Sequence, residues 1–260
     1  MTQIGVIGTG SMGSMLVRAF IKSGAAAPEE VIAYNRSTKR AAALSQETGI
    51  RLGTCREVAA GAGIVFLCVR PHEVEGVLRE LGDTLSPRTL LVSIAAEVPL
   101  ADLQAWTGAR VVRVIPTLTS EILKGASLVV FGERATSTDR DLVRTLMDAI
   151  GRAVEVEEEA FELLTLLTSC GPAFIAATMK EFAAAAVRRG GVSPACADLL
   201  VTETLAGTAG LLEEEGSSFD EVISRVATEG GITAKGVAVI RKEGPGVFDA
   251  VVAAALGEDE

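Results

Sequence analysis

The sequence predicts an α/β chain, with strands and helices alternating around a mostly parallel sheet and then a segment of helices alone. Three observations predict it. The chain opens with an apolar run, Gln3-Ile4-Gly5-Val6-Ile7, that enters a glycine-rich turn, Gly8-Thr9-Gly10-Ser11-Met12-Gly13, and an amphipathic stretch to Ser23. Apolar runs such as Ile64-Val65-Phe66-Leu67-Cys68-Val69 recur between helical patterns, as strands covered on both faces require. After Glu155 no further strand pattern reads.

In order, strands are expected at Gln3–Ile7, Val31–Tyr34, Ile50–Leu52, Ile64–Val69, Leu90–Ile94, Val111–Ile115, Ser127–Phe131 and Ala153–Val156. Helices fall between them near Ser11–Ser23, Thr38–Glu47, Arg56–Ala60, His72–Leu81, Leu100–Trp106 and Asp139–Ile150. Thr54 with Glu57, and Thr138 with Asp141, have the spacing of helix-start capping pairs. Further helices are expected near Ala160–Ser169, Ala173–Arg189, Ala195–Glu215, Asp220–Ala227, Ala234–Lys242 and Val247–Leu256. Ser193-Pro194 reads as a cap followed by a first-turn proline, and Ser218 with Glu221 repeats the capping spacing. The acidic run Glu155, Glu157, Glu158 and Glu159 reads as solvated charge favouring a helix N-terminus, and Glu213–Glu215 and the Glu258-Asp259-Glu260 tail as solvated too. The expected division is a domain over 1–154 and an all-α domain over 155–260.

The opening turn suits a dinucleotide. A pyrophosphate needs the exposed N–H groups of a helix N-terminus. Gly8 permits the tight turn, Gly10 lets the backbone approach the phosphates, and Gly13 lets helix and strand pack closely. This is a Rossmann-like arrangement, in which the residue closing the second strand meets the adenine ribose and a carboxylate there selects NAD. Here the chain reads Tyr34-Asn35-Arg36-Ser37-Thr38-Lys39-Arg40, with no carboxylate. Arg36 offers a planar fork for phosphate oxygens, and Asn35, Ser37 and Thr38 add neutral donors. The expected cofactor is therefore NADP(H) rather than NAD(H). Lys39 and Arg40 read as solvated helix charges.

A net charge of −10 over 260 residues argues against nucleic acid and anionic membranes as partners. Cys55, Cys68, Cys170 and Cys196 are far apart and lack metal-ligand spacing. That suits free thiols in a cytoplasmic protein, with Cys68 and Cys170 buried. No secretory signal is expected before the first strand. Leu163 to Met179 is uncharged, but Gly171-Pro172 and hydroxyl side chains interrupt it, so it is expected to be too short and broken to span a bilayer. A partner subunit is the natural cover for so apolar a helix. The single histidine, His72, excludes mechanisms that need two and reads as a structural residue at a helix start.

Two more glycine motifs lie in the helical half: Cys170-Gly171-Pro172-Ala173-Phe174 and Thr228-Glu229-Gly230-Gly231-Ile232-Thr233. Adjacent glycines before a helix present bare N–H groups. These suit a carboxylate ligand or, equally, a tight turn capped by Thr233. The order of motifs carries more. With the Gly8–Gly13 turn, Val69-Arg70-Pro71 and Val112-Arg113-Val114-Ile115-Pro116 ahead of those two segments, the chain resembles the pyrroline-5-carboxylate reductases over nearly its whole length. The resemblance implies a helical dimerisation domain, a homodimer able to assemble further, and hydride transfer from NADPH to 1-pyrroline-5-carboxylate in proline biosynthesis. It also implies phosphate contacts at Gly8, Gly10, Ser11, Met12 and Gly13, and ribose-phosphate contacts at Asn35, Arg36 and Ser37. Val69, Arg70 and Pro71 would wall the nicotinamide. Val226, Thr228, Gly230, Gly231, Ile232 and Thr233 would bind the substrate carboxylate, with the Thr233 hydroxyl beside the ring nitrogen as the catalytic group.

The chain departs from the family pattern in four places: Glu97 for a glycine, Thr117 for an asparagine, Glu229 for a proline, and Thr168-Ser169-Cys170 for a more glycine- and serine-rich approach. These leave open a reductase of the same build acting on another imine or a ketone, and a cofactor-binding regulatory homologue without turnover. A hydroxyacid dehydrogenase is disfavoured, because its lysine sits one helical turn past a glycine pair, whereas Lys180 lies nine residues past Gly171.

Overall fold

The computed structural model describes residues 3–258, so Asp259 and Glu260 of the acidic tail lie outside it, as do Met1 and Thr2. Up to Pro172 the chain is one compact unit. Its sheet holds β1 (Ile4–Ile7), β2 (Val31–Tyr34), β3 (Arg51–Leu52), β4 (Ile64–Leu67), β5 (Leu90–Ser93), β6 (Arg110–Ile115), β7 (Gly125–Phe131) and β8 (Gly151–Glu155). The strand order is β3-β2-β1-β4-β5-β6-β7-β8. Every pair is parallel except β6 with β7, where Val112 faces Phe131 and Ile115 faces Leu128. All eight expected strands form, with ends shifted by a residue or two. The order reverses between β1 and β4, and in open sheets of this kind ligands bind outside the strand ends at such a point.

Both sheet faces are covered, by α1 (Ser11–Ser23), α2 (Thr38–Thr48), α3 (Cys55–Gly61), α4 (Pro71–Leu81), α5 (Leu100–Trp106) and α6 (Ser137–Asp148). Strand alternation sorts the side chains. Ile4, Val6, Ile64 and Phe66 join Leu16 and Phe20 of α1 and Leu146 of α6 in one core. Ile7, Val65 and Leu67 join Val58, Val74, Leu78 and Leu103 of α3, α4 and α5 in the other. The Phe20 and Phe66 rings tilt at 52° with centroids 5.3 Å apart.

The capping pairs are mostly as expected. The Thr54 hydroxyl accepts from the Glu57 N–H at 3.2 Å, and the Glu57 carboxylate accepts from the Thr54 N–H at 2.7 Å. The second pair is corrected. α6 starts with Thr136 and Asp139 as its reciprocal cap, not with Thr138 and Asp141. Both pairs have the same spacing. Asp139 decides between them because it is buried and also pairs with Arg110 on β6 at 2.8 Å.

Residues beyond β8 turn helical at once, but the first of them stay with the sheet. Phe161 of α7 (Phe161–Thr165) lies in the second core, and Leu166 is buried. The second compact unit therefore begins at Ala173, although the sequence pattern changes at Glu155. Glu158 is not simply solvated: it pairs with the buried Arg113 of β6 and accepts from the Leu100 N–H at 2.7 Å. Glu155 takes Arg140 and Arg144 of α6.

Two further corrections concern helices. The apolar stretch over Leu163–Met179 is not broken at Gly171-Pro172. α7, a π turn (Leu166–Cys170) and α8 (Gly171–Arg188) run on. Glu158–Arg188 and Pro194–Glu213 are thus long and apolar enough to cross a membrane by length and composition. Against that role, the first of them begins with Glu158 ion-paired and Phe161 in the core. The two helices expected at the C-terminus are one, α11 (Ile232–Leu256), with Pro245 inside it. A mid-helix proline costs about 3 kcal/mol and a glycine about 1 relative to alanine. No residue of α11 is buried within its own chain to offset that. α9 (Pro194–Glu213) and α10 (Phe219–Val226) start at the expected Ser193 and Ser218 caps. Large apolar side chains stand exposed across this unit, including Phe219 at 75% and Ile232 at 89%.

Candidate active site

The glycine turn behaves as the sequence predicts, and each glycine for its own reason. Gly8 has φ of +103°, and a Cβ there would sit 2.4 Å from the Cys68 carbonyl oxygen. At Gly13 a Cβ would come within 2.0 Å of the Gly8 carbonyl oxygen, so this helix residue must be bare for α1 to approach the turn. A Cβ at Gly10 would meet nothing within 4 Å. Its backbone faces open space at the start of α1, where no side chain caps the helix. A helix N-terminus with free amides is an anion site.

This turn is one wall of a cleft of about 330 Å³ at the point where the strand order reverses. Gly8, Gly10, Asn35, Arg36, Ser37, Val69 and Arg70 all line it. Ser11, Met12, Gly13 and Pro71 do not, being the first residues of the two helices that leave it. Asn35 is less free than expected, since its Oδ1 accepts from the Thr9 N–H at 3.0 Å and its Nδ2 donates to the Ser37 carbonyl at 3.1 Å. It ties the glycine turn to the end of β2. Ser37 starts α2 without making a cap bond, which leaves its hydroxyl available.

Sequence reasoning missed several cleft residues, two of them charged groups beside Arg36. Arg40, read as solvated, lines the cleft with Arg36. Its place four residues past Arg36, in the first turn of α2, is the available signal. Glu73 of α4 lines it as well and pairs with Arg36 at 2.9 Å. It is also the capping carboxylate for the Arg70 N–H. That N–H chiefly, with the nearby Arg36, His72 and Arg70 charges, holds the Glu73 carboxyl below its usual range. His72 is exposed and outside the cleft. Cys55 lines it with its thiol pushed up to about 11, mainly by burial, and burial pushes Cys68 up to about 12. Neither is a thiolate at neutral pH. Cys68 and Cys170, both expected to be buried, are half-buried by exposure of the whole residue.

The second set of residues lies in the turn between α10 and α11. Gly230 has φ of +73°, and the Gly231 N–H donates to the Thr228 carbonyl at 3.0 Å. Gly231 is the N-cap of α11 and supplies no side-chain acceptor, so the first-turn amides of Ile232 and Thr233 have no side-chain cap. Thr228, Gly230 and Gly231 thus lie in this turn, between Val226 at the end of α10 and Ile232 and Thr233 at the start of α11, with Thr233 half-buried and Glu229 exposed.

Residues 3–97 match the family model described as NADP oxidoreductase, coenzyme F420-dependent, and residues 158–259 the model for pyrroline-5-carboxylate reductase dimerisation. The chain is 36% identical to pyrroline-5-carboxylate reductase 3 of Bacillus subtilis, over 96% of this chain and 93% of that protein. The chain belongs to the pyrroline-5-carboxylate reductase family. As a member it is an NAD(P)-dependent oxidoreductase. It is also 31% identical to ComE operon protein 4 of Bacillus subtilis, over 90% of this chain and 87% of that one. Among solved structures, a pyrroline-5-carboxylate reductase from Coxiella burnetii superposes with a TM-score of 0.92 at 28% identity, covering 99% of this chain and 97% of the other. The nicotinamide dinucleotide this family uses fits the residues present, because the open backbone at Gly10 is a cradle that any side chain would fill.

Proposed function

We propose that this chain reduces 1-pyrroline-5-carboxylate to proline with NADPH. The observation that carries the reading is the bare Gly10 cradle on a chain so alike, over its whole length, to a reductase named for this substrate. Reduced nicotinamide, when bound, supplies the hydride. The chain's residues bind, orient and place charge. Gly8 to Gly13, with Ser11 and Met12 between, hold the pyrophosphate. Asn35, Arg36 and Ser37 hold the ribose phosphate, and Val69, Arg70 and Pro71 wall the ring. The Val226–Thr233 turn holds the substrate carboxylate on its amides, and the Thr233 hydroxyl hydrogen-bonds the ring nitrogen. A protonated cyclic imine is already a good electrophile, so no strong side-chain acid is needed. By role the cofactor domain is 1–154 and the substrate and dimerisation domain 155–260, whose exposed apolar faces pack on a second copy.

The test is purified protein with NADPH and 1-pyrroline-5-carboxylate, read by the loss of reduced-nicotinamide absorbance and by proline formed. Binding of NADPH without turnover of this imine rejects the reading. Thr233→Ala is expected to lower kcat about tenfold or more with NADPH affinity unchanged, and an unaltered kcat removes Thr233 from the chemistry. Arg36→Ala is expected to weaken NADPH by about tenfold and NADH by less than about twofold, in equilibrium titrations of both nucleotides. Equal losses would remove the phosphate clamp.

A further inference from the structure

We propose that Glu73 sets how strongly the cleft prefers the 2′-phosphorylated nucleotide, by holding the Arg36 guanidinium and presenting a carboxylate where that phosphate binds. The inference rests on the cofactor reading above and concerns a residue that the glycine pattern and the end of β2 leave out.

Three facts carry it. Arg36 is an exposed arm, its side chain 87% accessible, and the contact fixing its head is the 2.9 Å pair with Glu73. Glu73 cannot follow Arg36 outward, because its other carboxylate oxygen accepts the Arg70 N–H as the start of α4. Both residues line the same cleft, together with Arg40, Arg70 and Glu80.

A phosphate gripped by Arg36 in this position therefore lies close to a fixed carboxylate. If Arg36 instead swings to meet the phosphate, it gives up the pair. A phosphate and a carboxylate several ångströms apart repel even in water, and loss of a surface ion pair adds a smaller cost. Both routes count against NADPH. An unphosphorylated ribose meets neither cost, and its 2′-hydroxyl can donate to the carboxylate. Glu73 thus supplies from α4 the acidic group that β2 lacks, in opposition to Arg36. The cleft holds a balance between the two nucleotides rather than a single-sided phosphate clamp.

Glu73→Gln removes the charge and keeps the capping oxygen, so α4 retains its start. Equilibrium titration of the unloaded protein with NADPH and NADH, and with adenosine 2′,5′-bisphosphate and AMP as fragments, reads the effect without turnover. The variant is expected to bind NADPH and the bisphosphate about three- to tenfold more tightly, and NADH and AMP no more tightly than before. Glu73→Asp, shorter by one methylene, is expected to fall between. An equal change for both nucleotides, no change, or weaker NADPH binding overturns the inference. Failure of the unaltered protein to bind either nucleotide overturns the cofactor reading instead.

Discussion

Gly13→Ala is expected to lower the thermal unfolding midpoint by about 6 °C and to abolish measurable nucleotide binding. Two effects compete at this position. Alanine is a better helix former than glycine by about 1 kcal/mol, and Gly13 is inside α1. The added methyl, however, would sit 2.0 Å from the Gly8 carbonyl oxygen and 3.0 Å from the Cys68 Cβ. A backbone oxygen cannot turn aside as a flexible side chain does, so α1 must move off the turn. Overpacking of this kind costs about 3 kcal/mol or more, which exceeds the propensity gain. The same movement spreads the amides that hold the pyrophosphate.

Gly10→Ala separates the two consequences. Gly10 has φ of −72°, a value open to any residue, and its added Cβ meets nothing within 4 Å. The midpoint should stay within about 2 °C of the parent, while nucleotide affinity falls by about tenfold or more as the methyl takes the space of the phosphate. Thermal melting and a binding titration on the two variants check both halves. A Gly10→Ala protein that binds as well as its parent would detach the cradle from the cofactor.

What was legible in the sequence was whatever is decided locally. The central strands read correctly because doubly buried runs such as Ile64–Leu67 have no solvent face to dilute them. The glycine turn read because strand, turn and helix follow one another in the chain, and Gly13 meets the Gly8 carbonyl inside that unit. Errors fall where a distant residue decides. Thr136 caps α6 instead of Thr138 because Arg110, on another element, holds Asp139. Glu158 leaves its acidic run because Arg113 waits under it. Pro245 sits inside a continuous α11, against local propensity, in a helix with no fully buried residue within its own chain. Among the expected site residues, Arg36 lines the cleft, where its place just past the end of β2 puts it. Its opponent Glu73 comes from a helix thirty-seven residues later, and only the ion pair reveals that they meet.

Glu158→Ala is expected to cost about 2–3 kcal/mol, a fall in thermal midpoint of about 6 °C. Arg113 is 5% exposed. One arm of its guanidinium pairs with Glu158, the other donates to the Ala96 carbonyl, and its plane lies 4.3 Å from the centre of the Phe161 ring. Its Nε is buried with no partner, so the cation already carries one unmet donor. Removing the carboxylate leaves a largely buried cation without its ion-pair partner. Breaking a fully buried pair this way costs about 3–5 kcal/mol, and the figure here is discounted because the Glu158 side chain is 34% exposed. The change also frees the Leu100 N–H at the start of α5. Removing both charges is a different matter, since apolar residues of similar volume can replace a buried pair at little cost. The double variant Arg113→Met with Glu158→Leu should therefore recover most of the lost midpoint. Melting the three proteins side by side decides it. If Glu158→Ala melts with its parent, the residue is surface charge after all. If the double variant melts lower still, the pair specifies how α7 joins the sheet in a way that packing alone cannot replace.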